Sequence, residues 1–464
     1  MFISILNRAG VFILLLCFYS CGKHEPEPFG PVVPVDEFAS VAGAATTYDN
    51  TDYAYRHVIG SVNVATNAMH QAGSIIFFSE FTESGNSEFD GLGPQFIQKS
   101  CVGCHPGNGR SQPPLSEIDY NSGLLMRFSL AGAGPHGEPI PVPGYGTQLQ
   151  TQGTGSNIPE AHFLFNYSNQ IVTYDDGTEV ILHNPSHQLI NSYENLPPNI
   201  LFTMRNASPV YGLGLLEAIP ESEILAFEDE TDDNGDYISG KANYVWNVKT
   251  KQMELGRFGW KASVSTIEQQ VAGAFHEDMG ITSQGYFPVE NCDGQSNCSG
   301  GSIEPDLTES RLNEVAMYIR TLAVPNWRNQ NDSIVMRGKQ IFHDLNCNGC
   351  HRSDWTSSVS TVPELNGIEF HPYTDMLLHD MGEVLADGRP DFAASTNEWR
   401  TAPLWGIGLT KLVNPDARFL HDGRAATLEE AILWHGGEAN WITNYFKALP
   451  ASDRTALITF LESL

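Results

Sequence analysis

Cys347-Asn-Gly-Cys-His351 and Cys101-Val-Gly-Cys-His105 are two copies of one short pattern, and their reading decides the fold. C-x-x-C-H is the attachment sequence for c-type haem. Thiols at this spacing reach one porphyrin edge and add across its vinyl groups. The adjoining histidine then turns its imidazole to the iron as proximal ligand. The competing reading is a zinc site shared by all four cysteines, but zinc needs no histidine directly after each pair. Two covalently bound haem c groups are therefore the expectation. Cys101, Cys104 and His105 would hold the first iron porphyrin, and Cys347, Cys350 and His351 the second.

The beginning of the chain points the same way. Arg8 precedes a short apolar run at residues 11–19, which reads as a signal peptide over residues 1–21. Cys21 after Ser20 is placed as in lipoprotein signals, with plain secretion as the alternative. The expected location is thus exported, periplasmic or cell-envelope, with a lipid anchor at Cys21 as the only membrane contact. Haem c is attached outside the cytoplasm, and disulfides survive there. Cys292 and Cys298, in a loop rich in Gly, Asn and Ser, are the remaining pair and read as a disulfide rather than a metal or redox site. The net charge of -30 excludes nucleic acid as a partner and favours a basic electron donor, a protein or a quinol-linked one.

Residues 22–45, with Pro26, Pro28, Pro31 and Pro34, read as an extended tether. Beyond it lies a divergent internal repeat, residues 46–325 and 326–464. Apolar residues recur at helical spacing in Val315, Tyr318, Ile319 and Leu322, and again in Leu457, Phe460, Leu461 and Leu464. Each set predicts the amphipathic helix that closes a unit. Residues 334–342 predict another short helix running into Cys347. Residues 205–215 echo 400–409, and 258–270 echo 419–431. The fold expectation is mainly α: two cytochrome c-like haem domains in tandem. The first is enlarged by loops and small β insertions, with strands predicted at residues 170–173 and 179–183.

A haem protein's function turns on what faces the iron opposite the proximal histidine. For the second haem the candidate is His435. Thr427 with Glu430 reads as a capping box, and Leu428, Ala431, Ile432 and His435 share one helical face ahead of Gly436 and Gly437. His421, in a His-Asp-Gly turn, is the competitor. The corresponding helix of the first unit has Ala274 where His435 stands, and alanine cannot bind iron. Gln270 with the acidic pair Glu277 and Asp278 is the candidate set for an open first site: peroxide cleavage needs a proton-shifting base and a polar group for the developing charge. Plain surface polarity is the alternative. Trp260 stands where the second unit has His421, and is read either as an electron relay or as core.

This pattern resembles the bacterial di-haem cytochrome c peroxidase superfamily, most closely its branch of di-haem oxidoreductases. The likeness is carried by Ser100-Cys-Val-Gly-Cys-His-Pro-Gly-Asn-Gly-Arg110, Gly212-Leu-Gly-Leu-Leu-Glu-Ala-Ile-Pro220, Asn234-Gly-Asp-Tyr-Ile-Ser-Gly240, Gly256-Arg-Phe-Gly-Trp-Lys261 and His435-Gly-Gly-Glu-Ala439. It implies a reactive N-terminal haem, an electron-receiving C-terminal haem and a tryptophan between them, here Trp260. It places Gln270 at the distal glutamine position, with Glu277 or Asp278 as the shifted equivalent of the catalytic acid. His435 falls where the peroxidases carry Met, and Met raises the potential. Residues 230–236 resemble half a calcium loop, but Lys241 stands at the twelfth position where an EF-hand needs Glu.

The expected function is an exported di-haem oxidoreductase of peroxidase type, passing electrons from haem 2 past Trp260 to a haem 1 that reduces hydrogen peroxide. One alternative is a pure electron carrier with a further ligand over haem 1, from His70, His136, Met204 or Met279. The other is an oxidase that modifies a partner protein or an organic substrate.

Overall fold

The structure is a computed structural model that describes residues 40–83, 88–117, 119, 122–301, 304–358 and 360–464. The expected signal, Cys21 and most of the tether lie outside the described residues. Helix α1 (Val64–Phe78) precedes the first attachment turn, Cys101–Cys104. Strands β1 (Leu124–Ser129), β2 (His162–Thr173), β3 (Glu179–Ile190) and β4 (Leu201–Asn206) follow. Helices α2 (Ile267–Met279) and α3 (Glu309–Arg320) come next. The second unit runs through α4 (Ser333–Asp344), the attachment turn Cys347–Gly349, β5 (Leu378–Asp380) and β6 (Glu398–Arg400). It ends with α5 (Leu428–Leu433), α6 (Asn440–Ala448) and α7 (Ala451–Ser463). Among the described residues no helix is long and apolar enough to cross a membrane.

The repeat is written in matching close approaches. Helix α1 packs along α3, and α4 along α7. At the first crossing a Cβ on Gly73 would overlap the Glu314 carbonyl and crowd Tyr318; at the second, a Cβ on Gly338 would overlap the Ala456 carbonyl and crowd Phe460. The straps repeat too: Gly214 lies against the Arg320 carbonyl, and Gly408 against that of Glu462. Each partner in the second unit is the repeat equivalent of its counterpart in the first. Backbone contact at these crossings leaves no room for a methyl group. Gly338→Ala is expected to cost about 1–3 kcal/mol through forced separation of α4 and α7. Denaturant unfolding checks this, and an unchanged midpoint would mean that the crossing relaxes freely.

The expectation of a mainly α chain needs correction: only 28 % of the described residues are helical. Seven two-stranded sheets join the helices among the described residues. Most of the difference comes from the insertion, which has its own apolar cluster of Leu124, Met126, Phe128, Tyr145, Leu149, Phe163, Phe165 and Met204. There β1 pairs antiparallel with β4, and β2 with β3 in a hairpin of 12-residue strands. Strands were expected at residues 170–173 and 179–183, around the turn, and they extend well beyond. Asn166, Ser168, Asn169, Ser186 and Gln188 on the outer parts carry little apolar alternation, because much of the hairpin is exposed.

The two large cores each draw on both halves of the sequence. One combines α1, α2 and α3 with Trp355, Phe370, Trp405 and Leu409. The other combines α4 and α7 with Tyr174 and Leu182 of the hairpin. Cys292 and Cys298 are joined in a disulfide.

Candidate functional site

At the second attachment segment the histidine geometry is specific. His351 Nδ1 lies 2.9 Å from the Tyr373 carbonyl. A carbonyl only accepts, so Nδ1 carries the proton and Nε2 is left as the metal-binding nitrogen. Burial lowers the His351 pKa to about 4, and the charge of nearby His435 acts in the same direction. His435 is built the same way: its Nδ1 donates to the Ala431 carbonyl at 2.7 Å. The Thr427 half of the capping box that precedes it is present, while the Glu430 side chain returns to Ala426 rather than to Thr427. Thr427 Oγ1 accepts the Glu430 N–H at 3.1 Å, and Glu430 accepts the Ala426 N–H at 3.0 Å. Thr443 Oγ1 then donates to the His435 carbonyl at 2.9 Å, tying the turn after α5 to α6. His421 is buried elsewhere, stacked on Trp399 with ring centroids 3.8 Å apart.

His105, at the first attachment segment, is buried and its Nδ1 lacks a hydrogen-bond partner. Burial holds its pKa at about 4, so the ring is neutral, as an iron ligand must be. The four cysteines are free thiols in two separate places. Cys101 packs at the edge of the first core and Cys347 at that of the second, and no group of three or more metal-binding side chains forms among the described residues. A shared zinc site does not fit. Two separate thiol pairs, each beside a neutral histidine, do fit haem attachment.

The distal candidates lie on α2, whose Thr266 cap accepts the Gln269 N–H. Its last turn docks on the segment leading to Cys101: the Asp278 carbonyl accepts the N–H groups of Ile97 and Gln98 at 2.8 and 3.0 Å. The charge of Asp278 is felt at Cys101 and Cys104. Glu277 and Asp278 are adjacent but differ in state. His276 faces the Val289 carbonyl with Nε2 and Glu277 with Nδ1, and these acceptors raise its pKa against the opposing effect of burial. Burial opposes the charge on Glu277, but His276, Arg127 and Thr147 outweigh it and hold the pKa near 2. Burial dominates at Asp278 and pushes it up to about 6, against the pull of Gln148 and Arg127. Asp278 is thus the carboxyl poised to exchange a proton near neutrality.

Gln270 does not join this pair. Its side chain has no hydrogen-bond partner among the described residues, whereas neighbouring Gln269 bridges the backbone at Trp246 and Val248. The amide at Asp278 comes instead from the insertion. Gln148 Nε2 donates to Asp278 Oδ1 at 2.6 Å and to the Glu277 carbonyl at 3.1 Å, and Gln148 Oε1 accepts from Arg127 Nε at 3.1 Å. Behind them Glu160, fully buried, accepts from the Gln150 N–H at 2.7 Å and from Gln295 of the disulfide loop at 2.9 Å. The sequence signal for Gln148 was faint: two glutamines flank Leu149 in a segment where polar residues are otherwise expected at the surface.

The four alternative ligands for haem 1 have these surroundings. His70 is bonded to Thr321 at 2.7 Å and His136 is stacked on Trp246, while Met204 and Met279 are buried in core clusters.

Trp260 bridges the units. Its Nε1 donates to the Asn206 carbonyl at 2.7 Å, its carbonyl accepts from Arg400, and its ring packs on the second core. Arg110 lies over its face at 5.3 Å, and His421 stands edge-on at 6.5 Å.

Residues 35–464 match the family described as "Di-haem oxidoreductase, putative peroxidase". The chain belongs to this di-haem oxidoreductase family. A solved MauG-like protein associated with microbial copper homeostasis is 16 % identical over 56 % of this chain and 88 % of its own, with a TM-score of 0.26. No curated protein matches the chain.

A further feature of this di-haem oxidoreductase had no signal in the sequence. The β2–β3 hairpin reaches across to α5, the helix that ends two residues before His435, so that His435 stands in the turn after it and not on the helix as expected. Tyr174 donates to Glu429 at 2.7 Å, His183 Nδ1 lies 3.1 Å from Glu430, and Tyr167 donates to the Gly423 carbonyl at 3.0 Å. Arg454 of α7 pairs with Asp176 at the hairpin turn. Glu430→Ala is expected to cost about 2–3 kcal/mol, since it removes a buried acceptor shared by the Ala426 N–H and His183. Thermal unfolding checks the cost, and a loss within about 0.5 kcal/mol would show that the hairpin contact is incidental.

Proposed function

We propose that this di-haem oxidoreductase is an exported c-type enzyme of peroxidase type, drawing electrons from a basic donor and anchored at the cell envelope through Cys21. One observation carries the reading. The second attachment histidine has a second histidine near it whose Nδ1 is occupied and whose Nε2 is left for a metal, whereas the charge of a carboxyl held by an amide reaches the first cysteine pair. His351 and His435 would hold the second haem iron, and His105 alone the first, with the cysteine pairs as covalent anchors. When bound, the haems supply one-electron redox chemistry and, where an iron face is open, a site for peroxide.

The chain's own residues supply the protons and the order. Asp278 takes the proton from one peroxide oxygen and returns it to the other as the O–O bond breaks, so that two electrons and two protons yield two waters. Gln148, held by Arg127, orients the Asp278 carboxylate. Glu277 stays ionised against His276 and keeps the turn fixed. Trp260, wedged between the units, lies on the path for electrons.

The test is EPR with optical spectra on oxidised and half-reduced protein, followed by peroxide. A high-spin haem 1 that reacts with peroxide is expected. Two low-spin signals that persist through half-reduction, with no reaction, would leave an electron carrier.

A further inference from the structure

Six arginines are buried among the described residues: Arg110, Arg205, Arg320, Arg389, Arg424 and Arg454. Five of them bind carboxylates, namely Arg205 and Arg389 at Asp391, Arg320 at Glu217, Arg424 at Asp422 and Arg454 at Asp176. Arg110 is the exception. It is 6 % exposed, its Nε and Nη1 have no hydrogen-bond partner, and the ionisable groups that act on it are the hydroxyls of Tyr211 and Tyr55. Its guanidinium lies between the rings of Trp260 and Phe419, at 5.3 and 6.0 Å. A buried cation without a counter-charge is strongly destabilising, and aromatic faces compensate only a small part. The site is therefore built for an anion that arrives with something else.

We propose that Arg110 is the anion clamp of the first haem site, taking a propionate of the haem anchored at His105 while its guanidinium stays on the face of Trp260. The proposal rests on the c-type di-haem reading. Haem is the one expected component that brings carboxylates into the interior, and Arg110 follows His105 by five residues in the attachment segment itself. A buried guanidinium with free N–H groups at Nε and Nη1 suits a carboxylate. Propionate, guanidinium and indole then form one contiguous contact from haem 1 to Trp260. With the propionate neutralising Arg110, removing an electron from the indole is less opposed than beside a bare cation. Arg110 thereby links cofactor seating to the electron path.

The test uses the full chain with both haems attached, first showing two haem c per chain by the pyridine haemochrome. If the wild type fails there, the di-haem reading fails and not this assignment. Arg110→Met is then compared with wild type by resonance Raman and spectroelectrochemistry. The expected result is a shifted propionate deformation band and a lowered haem 1 potential that becomes pH-dependent, with haem 2 unchanged. Arg110→Lys, which keeps the charge but not the fork, should show a smaller shift of the same sign, and it decides the matter if the Met variant does not fold. Unchanged band and potential would overturn the clamp, and changes confined to haem 2 would overturn its assignment to haem 1.

Discussion

Asp278→Asn is expected to lower peroxide turnover by about 10²- to 10⁴-fold, the usual contribution of a positioned acid–base group. The pH profile separates this from a general loss of fitness. Asp278 acts as base only when ionised, and its pKa is raised to about 6, chiefly by burial. The wild-type rate should therefore fall about tenfold per pH unit below about 6, and D278N should lose that limb. Gln148 donates to the ionised form and so lowers this pKa. Gln148→Ala should move the limb upward, while Gln270→Ala should leave it in place. Stopped-flow rates across pH 4–8 check all three, and a D278N profile parallel to the wild type would remove Asp278 from the chemistry.

The same shift has a stability consequence with a definite sign. The folded state binds the Asp278 proton more tightly than an unfolded chain, whose carboxyl titrates near 3.8. Stability from this group is present at low pH and declines as pH rises through the window up to about 6. Glu277 runs the other way, since its pKa near 2 stabilises the fold above the unfolded value of 4.5 and is lost as pH falls. The adjacent carboxyls oppose each other, so D278N should flatten one side of the pH–stability curve and leave the acid side intact.

What the sequence disclosed follows from the range of each interaction. Haem attachment is local chemistry, and the two five-residue patterns announce it. The closing helices α3 and α7 were legible because a helix packed on one side leaves its period in the sequence, as at Tyr318 and Phe460. The Thr427 half of the capping box was legible for the same reason, its partner Glu430 being three residues away. Gln148 and Asp278 are separated by 130 positions, and nothing near either residue marks the other. Gln270 does sit on the expected helix, but the hydrogen bond to Asp278 is made by a glutamine from a strand-rich insertion. Arg110 lies in the first attachment segment, where a cation reads as surface until its burial is seen. The hairpin on α5 was read only near its turn, since its outer residues serve solvent as much as packing.

Of the remaining substitutions, His435→Met is expected to act most strongly on the redox side. The His435 Nδ1–H donates to the Ala431 carbonyl, which makes Nε2 a stronger donor and favours oxidised iron. A methionine thioether is a weaker donor, and Met ligation raises the potential. The haem 2 potential should rise by on the order of a few tenths of a volt, within the roughly 0.8 V that axial ligands command. Spectroelectrochemistry with EPR would show the rise together with a change from bis-histidine to histidine–methionine ligation, and an unmoved haem 1. If neither the potential nor the EPR signal moves, His435 is no ligand, and His421 does not inherit the role while it stays stacked on Trp399. If both move, the kinetic effect should split. A donor would reduce haem 2 more readily, but the onward step past Trp260 would lose driving force. Faster reduction with slower peroxide turnover is the pattern that only a ligand at this position, upstream of haem 1, would produce.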